Sequence, residues 1–208
     1  MKEKNNNMER RSFTATELRA IEDEKGLRHI VGYAAVFNSL SENLGGFREK
    51  IEPGAFRDSI TADDVRALWN HDSNYILGRN KSGTLALSED ERGLKIDVSP
   101  PDTQWARDLM VSIDRGDVDK MSFGFRTLDD DWNAVNHEEV RTLKKVQLFD
   151  VSPVVFPAYP DTEVGLRSLE EYRKTTPPKG VGDGVEDSAI STILLAEEDD
   201  LLRTIYAI

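Results

Sequence analysis

The chain has 208 residues, and 27 Lys and Arg against 39 Asp and Glu give a formal charge of −12 at pH 7. That balance argues against a nucleic-acid-binding role, which needs an excess of cations. The lack of cysteine excludes disulfides, thiolate metal sites and a thiol nucleophile.

The three histidines, His29, His71 and His137, leave little for a histidine-rich metal centre, and no metal or cofactor is expected. No run approaches the roughly 20 apolar residues of a membrane-spanning helix. The polar start has no apolar signal-peptide core. The expectation is a soluble protein of cytoplasmic origin with no membrane partner.

Residues 1–12 are polar and Asn-rich and read as a flexible start. Residues 29–37 (HIVGYAAVF) carry a strand pattern, in which Gly32 permits a bulge or a close approach. A loop over 39–47 holds Gly45 and Gly46. The run Glu52-Pro53-Gly54-Ala55-Phe56 turns into a short helix ending near Ile60. Residues 65–71 read as a strand that ends on His71. Residues 83–87 and 93–98 flank 90–92 as a hairpin.

A helix follows, capped by Thr103. Ala106, Leu109, Met110 and Ile113 fall at i, i+3, i+4 and i+7 on one apolar face, and Gly116 suits the position just past its end. Residues 118–127 read as a strand, 129–136 as an acidic, Trp-containing loop, and 139–151 as a strand limited by Pro153. A turn over 157–160 leads to a short helix over 162–172. Residues 174–187 are rich in Pro and Gly without apolar period, the composition of a flexible linker. The whole reads as a β-rich α+β domain over 13–172, a linker over 173–189 and an acidic, apolar tail over 190–208.

Period two on the strand VDKMSFGFRT puts Met121, Phe123 and Phe125 on one face and Ser122, Gly124 and Arg126 on the other. Gly124 removes bulk beside Ser122, so another backbone or a substrate can come close. A lone strand serine is usually an ordinary surface residue, and only a base nearby makes it a nucleophile. His71, at a strand end, is a candidate base, with His29 and His137 as competitors. Alternation sets Asp150 in line with Val146 and Leu148. A carboxylate there is costly to bury unless paired, and orienting a histidine is one such pairing. The plainer alternatives are that Asp150 stands in water at the strand end or caps the turn at Ser152-Pro153. Arg126 stands four residues beyond Ser122, roughly 13 Å along the strand, too far for direct contact with the serine.

The blocks MERRSF (8–13), IVGYAAVFNSLSENLGGFREKIEPGAF (30–56), LWNHD (68–72), LGR (77–79), DKMSFGF (119–125) and FDVSPVVFPAYPDT (149–162) occur in order. Together they resemble the prohead serine proteases of tailed bacteriophages, over about residues 8–165. The resemblance implies a fold like that of the herpesvirus capsid maturation protease, a small closed β-barrel surrounded by helices. It implies a serine endopeptidase of the Ser-His-Asp type, with 13–172 as the protease domain. Ser122 would be the nucleophile, His71 the general base and Asp150 the third member, where relatives often carry glutamate. Herpesvirus relatives use a histidine there, which keeps His137 as the alternative.

The implied partners are scaffold and the scaffold-like arm of the major capsid protein precursor, together with self-association and cleavage of the chain's own termini. The implied location is the host cytoplasm, inside the assembling prohead. The tail becomes a targeting or self-processed segment. The competing role is a non-enzymatic capsid assembly factor of the same fold.

Overall fold

The computed structural model describes residues 8–14, 17–135, 138–156, 169–170 and 172–174. Among them the strands are β1 (Glu9–Thr14), β2 (Arg19–Glu22), β3 (Arg28–Val36), β4 (Phe47–Ile51), β5 (Arg66–Trp69), β6 (Asp72–Arg79), β7 (Leu85–Glu89), β8 (Gly93–Val98), β9 (Lys120–Val135) and β10 (Glu138–Val154). The helices α1 (Arg57–Ala62) and α2 (Gln104–Asp114) accompany them. The chain divides into two units, Met1–Tyr172 and Arg173–Ile208. The linker and tail expected over 173–189 and 190–208 lie outside the described residues, 173–174 apart, as do the turn at 157–160 and most of the helix expected over 162–172.

The strands form two sheets. One runs β1-β9-β10-β5-β6, with β4 also paired to β10; the other runs β2-β3-β8-β7. The β-rich class expected from the sequence is what forms. The closed barrel is not found among the described strands: β1 and β6 end one sheet, β2 and β7 the other. Strand β10 is long enough to have β9 along one side and two parallel partners in succession on the other, β4 at residues 139–143 and β5 at 150–151.

The apolar faces meet in one core. Met121, Phe123 and Phe125 of β9 are buried there with Leu143, Val146 and Leu148 of β10. Phe123 meets Phe56 edge-on, with ring centroids 5.5 Å apart. The four α2 residues at helical spacing are buried. Thr103 stands at the α2 N-cap but makes no side-chain cap bond, and Gly116 follows the helix with φ +79°. The β7–β8 hairpin pairs antiparallel from Leu85↔Val98 to Glu89↔Leu94.

Two expectations are corrected. The acidic stretch 129–136 is, through Val135, a continuation of β9, paired to the start of β10. Its charges are matched across the ladder, with Arg141 Nε donating to Asp130 at 2.7 Å and Lys144 to Asp131 at 3.0 Å. Its Trp132 packs on Phe47 and stacks on Tyr172, with centroids 5.0 and 5.2 Å away. Residues 9–14, read as mostly part of a flexible start, form β1 against β9. A buried ion cluster locks this strand in place. Arg141 Nη1 donates to Glu9 at 2.8 Å and to Glu49 at 3.1 Å, and Arg11 Nε donates to Glu49 at 2.8 Å.

Candidate active site

Ser122 lies in the middle strand of three, directly opposite Ser12 on β1 and Ser152 on β10. The three serines form a row on the face away from the phenylalanine core. That face is not solvated as a simple half-buried strand would be, since Ser122 and Ser152 are both 0% exposed.

Asp150 reaches the same face through a bulge. Leu148 pairs with Phe125, but Asp150 pairs with Gly124, so Phe149 is an extra residue in β10. A one-residue insertion reverses the alternation. Asp150 therefore leaves the Val146–Leu148 face, where period two had set it, and joins Ser122. Next to the bulge, the Leu148 N–H donates to Ser59 Oγ of α1 at 2.7 Å. Gly124 supplies the room. A Cβ at that position would overlap Asp150 Oδ1 and come within 2.8 Å of Met8 Cε. The group that comes close at Gly124 is thus the Asp150 carboxylate, not the backbone or substrate expected there.

His71 is not on a strand. The sequence read 65–71 as one strand, but β5 stops at Trp69, which pairs with Asp72 across a two-residue turn. Asn70 and His71 have φ of 53° and 59°, the positive-φ pair that a type I′ hairpin turn requires. Such values are uncommon outside glycine, Asn and His adopting them more readily than most, and they persist when the surroundings impose them. Here Asn70 N–H donates to Pro153 O at 3.0 Å, and Asn70 Oδ1 accepts from Val155 N–H at 3.0 Å. The turn is pinned to the end of β10, which continues through Pro153 to Val154. From this turn the imidazole extends to Ser122.

The His71 ring is bonded at both nitrogens, Nε2 at 2.7 Å from Ser122 Oγ and Nδ1 at 2.5 Å from Asp150 Oδ2. An ionised carboxylate only accepts. Nδ1 therefore carries the ring proton, and Nε2 is left to accept from the serine hydroxyl. Both His71 and Asp150 side chains are nearly buried, where such bonds are strengthened. Arg66, opposite Asp150 on β5, turns instead to Asp64 at 3.2 Å. The Arg79 hydrogen bond, assisted by Arg66, holds the Asp64 carboxyl down at about 2.

The other candidates separate from this set. His29 lies on β3 in the second sheet, with Nδ1 bonded to Asp97 at 2.7 Å. His137 lies outside the described residues. Arg126 stands with its guanidinium 5.7 Å from the Phe149 ring centre.

The model of the family described as caudovirus prohead serine protease matches residues 14–175. The chain belongs to this family. The span matched by the prohead serine protease model contains His71, Ser122 and Asp150. The chain is also 30% identical, over 182 residues, to the prohead protease of Enterobacteria phage HK97, a match covering 85% of this chain and 75% of that one. No solved structure matches the chain. It is a serine peptidase by family, and capsid maturation is the process to which that family belongs.

Sequence reasoning missed three supporting groups. Ser152 donates to Asp150 Oδ2 at 2.7 Å. Its signal was present in the spacing, two residues beyond Asp150 on one strand. Ser59 and Asn70 act through backbone groups of β10, and local sequence carries no sign of either contact.

Proposed function

We propose that the chain is the endopeptidase of a maturing phage prohead. It cuts scaffold or the scaffold-like arm of the major capsid protein, and its own termini, in the host cytoplasm within the assembling particle. Ser122 is the nucleophile, His71 the general base and Asp150 the orienting acid. The observation that carries this reading is the single imidazole bonded to Ser122 and Asp150 at once.

In the proposed reaction Ser122 Oγ attacks the scissile carbonyl while His71 Nε2 takes its proton. The imidazolium so formed is stabilised by Asp150, and its Nε2 proton passes to the leaving amine. Water then repeats the sequence on the acyl-enzyme, with His71 as base, and releases Ser122. Asp150 fixes the tautomer in which Nε2 is free to accept. Its shorter reach, compared with the glutamate of relatives, is met by the bulge and by the space over Gly124.

The tail is proposed to be a targeting or self-processed segment, with autolysis between about residues 172 and 190. The test is to incubate the purified chain alone and with its capsid precursor, and to map new termini by intact mass. New termini in the precursor that Ser122→Ala does not generate support the reading. An intact precursor would favour the assembly-factor role instead.

A further inference from the structure

We infer that Ser152 is a positioning residue for the peptidase reaction, acting through Asp150. This rests on the reading of Ser122, His71 and Asp150 given above. Ser152 Oγ lies 2.7 Å from Asp150 Oδ2, the same oxygen that accepts from His71 Nδ1 at 2.5 Å. The carboxylate only accepts, so the hydroxyl donates, and its one proton is committed there. Ser152 is wholly buried and stands directly opposite Ser122 in the β9–β10 ladder.

The need for such a group follows from the geometry of aspartate. Rotation about the bond to its carboxylate has a broad minimum, so packing alone holds the plane of the group loosely. One bond to His71 would leave that plane free to swing. A second donor, fixed two residues along the same rigid strand, sets it. Gly124 closes the other side, since Asp150 Oδ1 fills the space that a side chain would need. The carboxylate is thus clamped between Ser152 and Gly124, with Oδ2 aimed at the imidazole. The hydroxyl bonds the orienting carboxylate and not Ser122 or His71, so its effect is expected on turnover and not on binding.

The experiment compares full-length wild type, Ser152→Ala and Ser122→Ala on a peptide spanning the cleavage site mapped above. It also records the far-downfield proton NMR resonance of His71 Nδ1–H. For Ser152→Ala the expectation is a kcat lower by about ten- to hundredfold, the worth of a hydrogen bond to a charged group. KM should be little changed and the downfield resonance displaced or broadened. Ser152→Thr, which keeps the hydroxyl, should restore both. If Ser152→Ala does not fold, the isosteric pair Ser152→Thr and Ser152→Val replaces it, the first active and the second slow.

A Ser152→Ala or Ser152→Val protein with wild-type kcat overturns the proposal. So does a slow one whose downfield resonance is unmoved. Wild-type cleavage by Ser122→Ala sinks the peptidase reading instead, while the resonance still reports whether Ser152 orders the His71–Asp150 pair.

Discussion

The Asp150 carboxylate occupies the space that any side chain at Gly124 would fill. Strand β9 therefore contributes to the site twice, through the Ser122 hydroxyl and through an absence of atoms two residues later. The second contribution holds the third member of the proposed triad against the first.

Gly124→Ala should consequently disable the peptidase. Its Cβ would overlap Asp150 Oδ1, and the carboxylate must shift away from His71. A displacement near 1 Å in such a constellation is worth about 10²-fold in rate. Steady-state kinetics would check this, together with a thermal melt to show that β9 still forms. Wild-type kcat in Gly124→Ala would mean that Asp150 is not held by this contact.

Asp150→Asn should keep the fold and lose several orders of magnitude in kcat, because an amide favours the wrong histidine tautomer. His137→Ala should remain active. The reverse outcome, an active Asp150→Asn with a dead His137→Ala, would move the third role to His137.

Ser59→Ala tests the bulge. It leaves the Leu148 N–H without its partner in a buried setting, which costs about 1–3 kcal/mol. Chemical denaturation should report that loss. The bulge also turns Asp150 toward Ser122, so kcat should fall in parallel. A destabilised variant with unaltered kcat would separate the bulge from the site.

Arg141→Met should destabilise the protein by about 3–5 kcal/mol, because Glu9 and Glu49 then stay buried together with Arg11 as their one remaining shared cation. Burial opposes the ionisation of Glu9, but the Arg141 and Arg11 guanidiniums outweigh it and hold its carboxyl below its ordinary 4.5. A carboxyl depressed in the fold stabilises above its unfolded value and loses that contribution as pH falls through the folded one. Melting temperature against pH should therefore drop more steeply below about 4.5 for wild type than for Glu9→Gln. Parallel curves would remove Glu9 from the stabilising cluster.

The face of β9 was legible because period two held without interruption from Met121 to Arg126. The face of Asp150 was not. One inserted residue, Phe149, reverses the alternation, and nothing in the string QLFDV marks it as extra. His71 is legible as a base candidate, but the sequence alone points to a strand there, since Asn-His lacks the glycine that usually announces a two-residue turn. The acidic run through Val135 resembled a loop because its compensating cations, Arg141 and Lys144, lie on the next strand. Strand β1 was hidden for a similar reason. Its short, charged sequence gains its place from Glu49 and Arg141, far along the chain. Cross-strand pairing of this kind is a property of the register, which becomes visible only once the sheet exists.

The proposed reaction requires the Ser122 hydroxyl to be activated by His71. Labelling with a fluorophosphonate, followed by intact mass and peptide mapping, tests it most directly. One adduct per chain is expected, on Ser122, and none in Ser122→Ala or His71→Ala. An adduct on another serine, or undiminished labelling of Ser122 in the His71→Ala protein, would contradict it.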